Sequence, residues 1–266
     1  MNPVYIEALS VLGPGLPDWI TAQSILRGVE SYQFSPTPPV SCGYLTPNIK
    51  RRTSLHMQVA LQAAEKALKQ SDLDPATIEL VFASSEGDLN IADEIFAALT
   101  HPEKLVSPQK FQNVILNAAI GHLGIILGNK SSATSVSGGE YSFAVGLLQA
   151  AVSAAMENRP VLFVSYDALG PDHVDPRDAS IEPFSVGVLL SPAQTQASIA
   201  RMVPRLADGG EESAMDSEAL EKVRTSIGAA RSLPVLSAIA TGKARSVSLP
   251  YCEKSCLNLE LEPCLQ

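Results

Sequence analysis

The sequence has no continuous apolar run long enough to cross a lipid bilayer. Its longest apolar segment, residues 114–127, is interrupted by Asn117 and His122, whereas a membrane helix needs about 20 predominantly apolar residues in succession. The first residues also lack the basic stretch followed by an apolar one that marks a secretory signal. We therefore expect a cytoplasmic protein without a membrane span.

Basic residues are scarce as well. The chain has 19 Lys and Arg residues against 28 Asp and Glu, which gives a formal net charge of −9. Nucleic-acid binding requires a clustered basic surface, and no basic stripe is visible along the chain. We therefore expect no nucleic-acid partner, and a poor surface for docking any acidic protein.

Cysteines are few and lie far from the middle of the chain. Three of the four, Cys252, Cys256 and Cys264, fall within the last 15 residues. The spacing of Cys252 and Cys256 could begin a zinc site or a disulfide, but no histidine or second cysteine pair follows. Reduced thiols are the expectation for a cytoplasmic protein, and we expect no metal and no cofactor.

What the chain does contain is a regular alternation of strand and helix patterns. The predicted strands cover residues 4–12, 78–84, 133–137, 161–166 and 183–190. The predicted helices cover residues 17–26, 54–69, 89–99, 109–127 and 141–156, and 31–53 is predicted to be a long irregular connection. This order predicts an α/β fold with a mostly parallel or mixed sheet and helices on both faces. The 109–127 helix, apolar on nearly all sides, is expected to be buried.

The character of the sequence changes after about residue 192. Short strands are predicted at 197–203, 235–240 and 257–261, with an amphipathic helix at 216–227. We therefore predict a first domain over 1–192 and a short C-terminal extension of the same fold over 193–266.

The strand at 133–137 ends in small residues and turns directly into the apolar 141–156 helix. Two glycines suit so tight a turn, and the following helix N-terminus could stabilise an anion or thiolate. This is the geometry of a nucleophile elbow, where a cysteine or serine with a nearby base is expected. The residues present are Ser137, Gly138, Gly139 and Glu140.

The succession of residues 117–124, 131–137 and 138–151 resembles the helix, strand and elbow around the active cysteine of β-ketoacyl synthases. Arg51-Arg52 and the segments 82–87 and 183–190 resemble the same family. The resemblance covers about residues 1–192 and is strongest with ketosynthase-like N-terminal domains encoded beside aryl polyene pigment genes. It implies a thiolase-like α/β fold with a complete N-terminal half and a shortened C-terminal half.

The chain departs from this family at its catalytic positions. Gly138, or Ser137 if the alignment shifts by one residue, stands where the family has its nucleophilic cysteine. The family also has two catalytic histidines and a lysine in its C-terminal half, whereas this chain has no histidine after His173. Without them no acyl-enzyme can form and nothing stabilises an enolate, so we expect no catalytic residue.

The same loss occurs in chain-length factors of type II polyketide synthases, which pair with a catalytic ketosynthase. The resemblance implies a heterodimer with a full-length ketosynthase, an acyl tunnel shared between the subunits, and polyene chain elongation. Because acyl carrier proteins are acidic and this chain is acidic too, we expect the carrier to dock on the partner. The residues expected at the interface or tunnel are Phe111, Ile115, Ala118, His122, Thr134, Val136 and Glu140.

Ser137 also supports a rival interpretation, an independent serine hydrolase or acyltransferase. Its surroundings read S-x-S-x-G rather than the G-x-S-x-G of α/β-hydrolases. The base would have to be His122 or His173, with an acid such as Asp172 or Asp175. The alternative for Ser137 is an ordinary turn serine, and for His122 a structural or interface histidine.

Two further features have a structural and a functional interpretation. His173 lies among Asp172, Asp175 and Asp178, which could suggest a metal, but the spacing is not that of a calcium loop. Glu140 begins the elbow helix, where a carboxylate favours the helix dipole; a tunnel-facing fixed charge is the alternative.

Overall fold

The computed structural model describes residues 2–173 and 182–264, and these form one mixed sheet flanked by helices. The strands are β1 (Val4–Leu12), β2 (Glu79–Ala83), β3 (Ala133–Val136), β4 (Val161–Asp167), β5 (Phe184–Ser191), β6 (Ala200–Asp208), β7 (Arg245–Cys252) and β8 (Ser255–Pro263). The helices are α1 (Trp19–Leu26), α2 (Pro47–Arg52), α3 (Leu55–Leu68), α4 (Leu89–Thr100), α5 (Pro108–Asn113), α6 (Ala118–Leu127), α7 (Ser142–Glu157), α8 (Glu218–Ser226) and α9 (Leu233–Thr241).

The strands are ordered β3-β2-β4-β5-β1-β6-β8-β7 across the sheet. Strand β2 is parallel to both β3 and β4, and the other pairings are antiparallel. The prediction of a mixed sheet is thereby confirmed. The predicted first domain (1–192) and the predicted C-terminal extension (193–266) contribute strands to the same sheet. Strands β6, β7 and β8 come from the extension, and β6 pairs with β1.

Each face of the sheet has its own apolar core. Val81 and Ala83 of β2 belong to one core, whereas Leu80 and Phe82 belong to the other. This split is the two-residue alternation of a strand buried on both sides. The first core also contains residues of α1, α7, α8 and α9, and the second contains residues of α3 and α6. The prediction of helices on both faces is therefore confirmed.

Helix α3 follows closely from its sequence pattern. The hydroxyl of Ser54 accepts a hydrogen bond from the Met57 amide at 3.3 Å, so Ser54 is the N-cap of α3. The predicted irregular connection over 31–53 is confirmed up to residue 46. The rest of this segment contains the short helix α2, which is capped by Thr46 and begins at Pro47. Proline is well suited to the first helical position, because the backbone amide that it lacks would have no partner within the helix there.

The prediction of one continuous, buried helix over 109–127 is wrong. The chain forms α5 and α6 with a break at residues 114–117. Val114 and Ile115 are β-branched and Asn117 follows closely, and all three are weaker helix formers than Ala or Leu. The segment is also not buried all round, because the side chains of Ile115 and Ile125 are exposed.

The prediction of a strand at 235–240 is also wrong. These residues form α9, with Pro234 in its first turn and Gly242 as its left-handed C-cap at φ 62°. Proline at the start of a helix and glycine just after its end are both typical of α-helices. A short apolar run has no period that distinguishes a strand from a buried helix. Strand β7, at the sheet edge opposite β3, was not predicted.

Within residues 2–173 and 182–264, no helix combines the length and the hydropathy that crossing a bilayer requires.

Candidate functional site at the strand-to-helix elbow

The elbow between β3 and α7 has the sharp turn that its sequence predicts. Gly139 has φ +57°, a left-handed conformation that favours glycine, and it begins a single turn of 3₁₀ helix before α7. Gly138 has φ −150°, which any residue can adopt. A Cβ atom at Gly138 would meet Val145 Cγ2 at 3.5 Å, an ordinary contact. A cysteine would therefore fit at this position, and its absence is not imposed by the backbone.

Side-chain hydrogen bonds tie the elbow to the end of β2. The Gly138 amide donates to Ser142 Oγ at 2.8 Å, and Ser142 Oγ lies 3.2 Å from the Ser84 carbonyl oxygen. The Ser137 hydroxyl donates to the carbonyl oxygen of Ser85 at 2.9 Å. The elbow is thus fixed on both sides of its two glycines.

A buried carboxylate, Asp167, lies at the end of β4 below the elbow. It accepts hydrogen bonds from the Ser85 amide at 2.8 Å, the Ser85 hydroxyl at 3.0 Å, the Ser84 hydroxyl at 3.1 Å and the Ala229 amide at 2.7 Å. Burial raises the pKa of Asp167, while the donors from Ser85 and Ala229 and the nearby His56 act in the opposite direction. Each carboxylate oxygen of Asp167 accepts two hydrogen bonds, an arrangement that suits the ionised carboxylate.

His56 of α3 completes this buried cluster. Its Nε2 lies 3.2 Å from Ser84 Oγ. Because the Ser84 hydroxyl hydrogen goes to Asp167, the hydroxyl oxygen accepts from the Gly87 amide and from His56, so Nε2 carries the hydrogen. Burial lowers the pKa of His56, although Asp167 and Asp88 partly oppose this. The ring is therefore neutral near pH 7.

The cluster contains the three residue types of a serine-hydrolase triad but not their arrangement. In a triad the histidine lies between the serine and the acid, whereas here Ser84 contacts both His56 and Asp167. Ser84 is also completely buried, so no substrate carbonyl can reach its hydroxyl. The cluster supports the elbow structurally and does not supply a nucleophile.

Ser84, His56 and Asp167 were not among the functional residues predicted from the sequence. A usable signal existed, because β2, β3 and β4 are parallel and their carboxyl ends lie at one edge of the sheet, where α/β proteins place functional groups. Ser84, Ser137 and Asp167 all stand at or just beyond those ends.

Ser137 lacks the partner that a nucleophile requires. Its side chain is exposed and bonds a backbone carbonyl, and in the described part of the chain no histidine ring hydrogen-bonds to it. His122 is half-buried, and burial and the charge of Arg52 lower its pKa. His173 instead contacts Asp93, with 2.9 Å between Nε2 and Oδ1.

Among residues 2–173 and 182–264, no three histidine, cysteine or acidic side chains are arranged so that they could hold a metal ion. Asp172 is exposed, while Asp175 and Asp178 lie outside the described residues. All four cysteines are free; Cys252 is exposed and Cys256 is buried in the β7–β8 hairpin.

Glu140 lies in the 3₁₀ turn of the elbow and forms a surface ion pair. Its Oε2 is 2.9 Å from the Arg231 guanidinium, which also contacts Glu212 at 2.9 Å. Glu140 is largely exposed, and its charge raises the pKa of the neighbouring Tyr141. The carboxylate thus links the elbow to the segment before α9.

The remaining predicted interface residues lie on β3, on α5 and the break after it, and at the start of α6. This strand pairs only with β2 among the described residues, so its other edge is unpaired. Thr134 and Val136 on β3 are half-buried. Phe111 on α5 and Ile115 in the break after it are 65% and 51% exposed. Ala118 is buried and packs in the core with α3.

A family model described as the N-terminal domain of β-ketoacyl synthases matches residues 27–253 of the chain. No curated protein matches the sequence. The match spans most of the chain, including the elbow and the sheet from β2 to β7. The chain belongs to the β-ketoacyl synthase N-terminal domain family.

Several solved structures share this fold at low sequence identity. One is the ketosynthase ApeO in complex with its chain length factor ApeC from Xenorhabdus doucetiae, with a TM-score of 0.74, 20% identity, and coverage of 98% of this chain and 100% of the matched chain. Another is the ishigamide ketosynthase/chain length factor, with a TM-score of 0.72, 15% identity and complete coverage of both chains.

A third is a type II polyketide synthase acyl-carrier protein in complex with its hexaketide-bound ketosynthase, with a TM-score of 0.78, 12% identity and 99% coverage of both chains. The architecture of the chain is therefore the thiolase-like ketosynthase fold that the resemblance implied.

Proposed function

We propose that the chain is a non-catalytic subunit of the chain-length-factor type that pairs with a full-length β-ketoacyl-ACP synthase. The observation that carries this proposal is a set of exposed apolar side chains on and between α4, α5 and α6, of which α6 contacts β3 with its unpaired edge, together with an elbow that has no cysteine. We call it the β3-edge surface and define it by Phe96, Leu105, Phe111, Ile115, Ile125 and the outer edge of β3.

Exposure of the β3-edge surface to water is energetically unfavourable. Phe111 and Ile125 are 65% and 82% exposed, and α4, α5, α6 and β3 contact one another in that order. An unpaired strand edge and exposed large apolar side chains both favour association with another chain. A partner that adds its own strand to β3 would satisfy the edge and cover these side chains.

The similar structures support the choice of partner. Two of them are described as a ketosynthase with its chain length factor, and both chains of each match are covered almost completely, so the matched chains are of similar length to this one. The elbow without a cysteine also supports a non-catalytic role, because Gly138 or Ser137 stands where a condensing enzyme needs a thiolate. The partner would supply the cysteine and the histidines.

In this proposal the elbow, Thr134 and Val136 help to wall the acyl tunnel of the pair, and the growing chain is an aryl polyene or related polyketide. The acyl carrier protein, being acidic, docks on the ketosynthase rather than on this chain with its net charge of −9. Both subunits act in the cytoplasm.

The test is co-expression with the full-length ketosynthase encoded nearest to this gene, followed by affinity capture and size-exclusion chromatography. We expect a one-to-one complex that Phe111→Asp and Ile125→Asp each disrupt. The matched control is Ile20→Asp, because Ile20 is 80% exposed but lies on α1, which packs on β1 and α9. A stable monomer with no affinity for the ketosynthase, or equal effects of all three changes, would contradict the proposal.

A further inference from the structure

Acidic residues are distributed unevenly along the chain. Residues 31–64 and 104–139 contain no aspartate or glutamate, although the whole chain has 28 of them. The same two stretches contain six cations, which are Lys50, Arg51, Arg52, Lys104, Lys110 and Lys130. The net charge of −9 therefore does not describe these two stretches, which are basic.

The fold brings the two basic stretches into contact. Helix α2 comes from the first and α5 from the second, and two side chains of α5 donate hydrogen bonds to main-chain carbonyl oxygens at the end of α2. Gln109 Nε2 donates to the carbonyl oxygen of Arg51 at 3.4 Å, and Asn113 Nδ2 donates to that of Arg52 at 2.6 Å. Phe111 lies between these two donors on α5 and belongs to the β3-edge surface. The end of α2 is therefore beside that surface.

A group of cations at the end of α2 is exposed and has no acidic partner. We call it the cationic cluster and define it by Lys50, Arg51 and Arg52. Within residues 2–173 and 182–264, none of the three forms an ion pair. The two acids of the neighbouring helix α4 already have partners, since Glu94 pairs with Lys110 at 2.8 Å and Asp93 contacts His173 at 2.9 Å. The charge of the cationic cluster is therefore left for another molecule to neutralise.

Cations in this position suit the rim of a protein interface. The centre of an interface is apolar, whereas its rim is polar and partly exposed to solvent, and this matches Phe111 with the cationic cluster beside it. Opposite charges across a rim increase the rate of association and fix the register of the two proteins. The surface therefore fits a partner that presents acidic residues opposite the end of α2.

We infer that the cationic cluster binds an acidic patch of the ketosynthase subunit, at the rim of the β3-edge surface. This role rests on the proposed function and adds to it the charge that the subunit presents beside its apolar contact. The acidic acyl carrier protein is the other ligand that such a cluster could bind. The ketosynthase is favoured because hydrogen bonds to α5 hold the cluster beside Phe111, so a subunit that covers Phe111 also reaches these cations.

The experiment measures the Kd of the purified complex by a dilution series in the analytical ultracentrifuge. It is run at about 0.1 M and about 1 M NaCl, where the Debye length is about 10 Å and about 3 Å. The test variant combines Arg51→Glu and Arg52→Glu, and it keeps the main-chain carbonyl oxygens that α5 binds. The matched control combines Lys243→Glu and Arg245→Glu, an equal change of charge on two exposed residues. Arg245 lies in β7, at the opposite edge of the sheet from β3.

At the lower salt concentration we expect the test variant to raise the Kd about tenfold or more, because like charges then face each other across the rim. The control variant should change the Kd less than about threefold. At the higher salt concentration the difference between the two variants should largely disappear, since salt screens exposed charges. The milder combination of Arg51→Gln and Arg52→Gln should act in the same direction as the test variant, with a smaller effect.

Equal effects of the two double variants would overturn the inference. So would weaker binding of the acyl carrier protein to the complex while the Kd of the two subunits stays unchanged. If Phe111→Asp disrupts the complex and the cluster variants do not, only this inference fails. If the unmodified chain forms no complex with the ketosynthase, the proposed function fails and this inference fails with it.

Discussion

The carboxylate of Asp167 accepts a hydrogen bond from the Ala229 amide at 2.7 Å, although the two residues are 62 positions apart. The neighbouring Gly228 packs so closely on the cluster that a Cβ atom there would lie 1.8 Å from Ser85 Oγ. The segment before α9 is therefore fixed against the ends of β2 and β4, below the elbow. The elbow keeps its shape because a distant part of the chain completes its support.

Replacing Asp167 should destabilise the protein. In Asp167→Asn an amide NH₂ would face at least one of the four donors that the carboxylate accepts, and each unsatisfied buried donor costs about 1–3 kcal/mol. We expect the free energy of unfolding in urea to fall by about 2–3 kcal/mol. The exposed Asp72→Asn change is the control, and a loss no larger than that of the control would disprove the role of the cluster.

The two elbow glycines should differ in their tolerance of a side chain. Gly139 has positive φ and Gly138 does not, so Gly139→Ala should cost about 1 kcal/mol and Gly138→Ala almost nothing. Gly138→Cys should fold normally and restore no condensing activity, because no base contacts the new thiol. Thermal denaturation and condensation assays check this, and equal destabilisation by the two alanine variants would contradict the elbow geometry.

Arg224 should make stability depend on pH in the acidic range. Its buried guanidinium contacts Glu221 at 2.6 Å and Glu212 at 2.9 Å, and these bonds lower the pKa of both carboxyls. A lowered folded-state pKa gives stability that is present above the unfolded value of about 4.3 and lost as the pH falls below it.

Arg224→Met should therefore reduce the free energy of unfolding by about 1–3 kcal/mol at pH 7, and the difference from the unmodified protein should shrink between about pH 5 and pH 3. Arg205→Met is the control, because Arg205 is exposed and its pair with Glu260 is 3.6 Å long. A difference that stays constant across this range would be inconsistent with ion pairing.

Ser137→Ala should leave the activity of the reconstituted pair unchanged. The hydroxyl donates only to the Ser85 carbonyl oxygen, so its loss should cost about 1 kcal/mol of stability at most. Product formation with the ketosynthase and hydrolysis of an acyl ester by this chain alone are the two measurements. Ester hydrolysis that disappears in the variant would instead establish the serine hydrolase.

Narrowing the proposed tunnel should shorten the product. Val136 is half-buried at the end of β3, and Val136→Trp adds bulk where the acyl chain is proposed to pass. We expect shorter polyenes by mass spectrometry with the complex intact. The control is Val152→Trp on the exposed side of α7, and an unchanged product length in both variants would place the tunnel elsewhere.

The sequence by itself determined the α/β class, most element positions and the elbow, because periodicity, glycines and N-caps act locally. Ser54 caps α3 and Gly139 permits the turn through local hydrogen bonding and backbone conformation, independently of distant residues. It also determined that no cysteine stands at the elbow, a fact of composition that no fold can alter.

Only the tertiary structure decided which polar residues meet and which apolar ones stay exposed. One cluster is formed by residues from separate parts of the chain, namely Ser84, His56, Asp167 and Ala229. No local sequence pattern predicts that they are in contact. The prediction of one continuous buried helix over 109–127 was wrong for the same reason. An apolar stretch has the same sequence pattern whether it packs in a core or faces solvent. Burial depends on the neighbours that the whole sheet brings together, and those are fixed by topology.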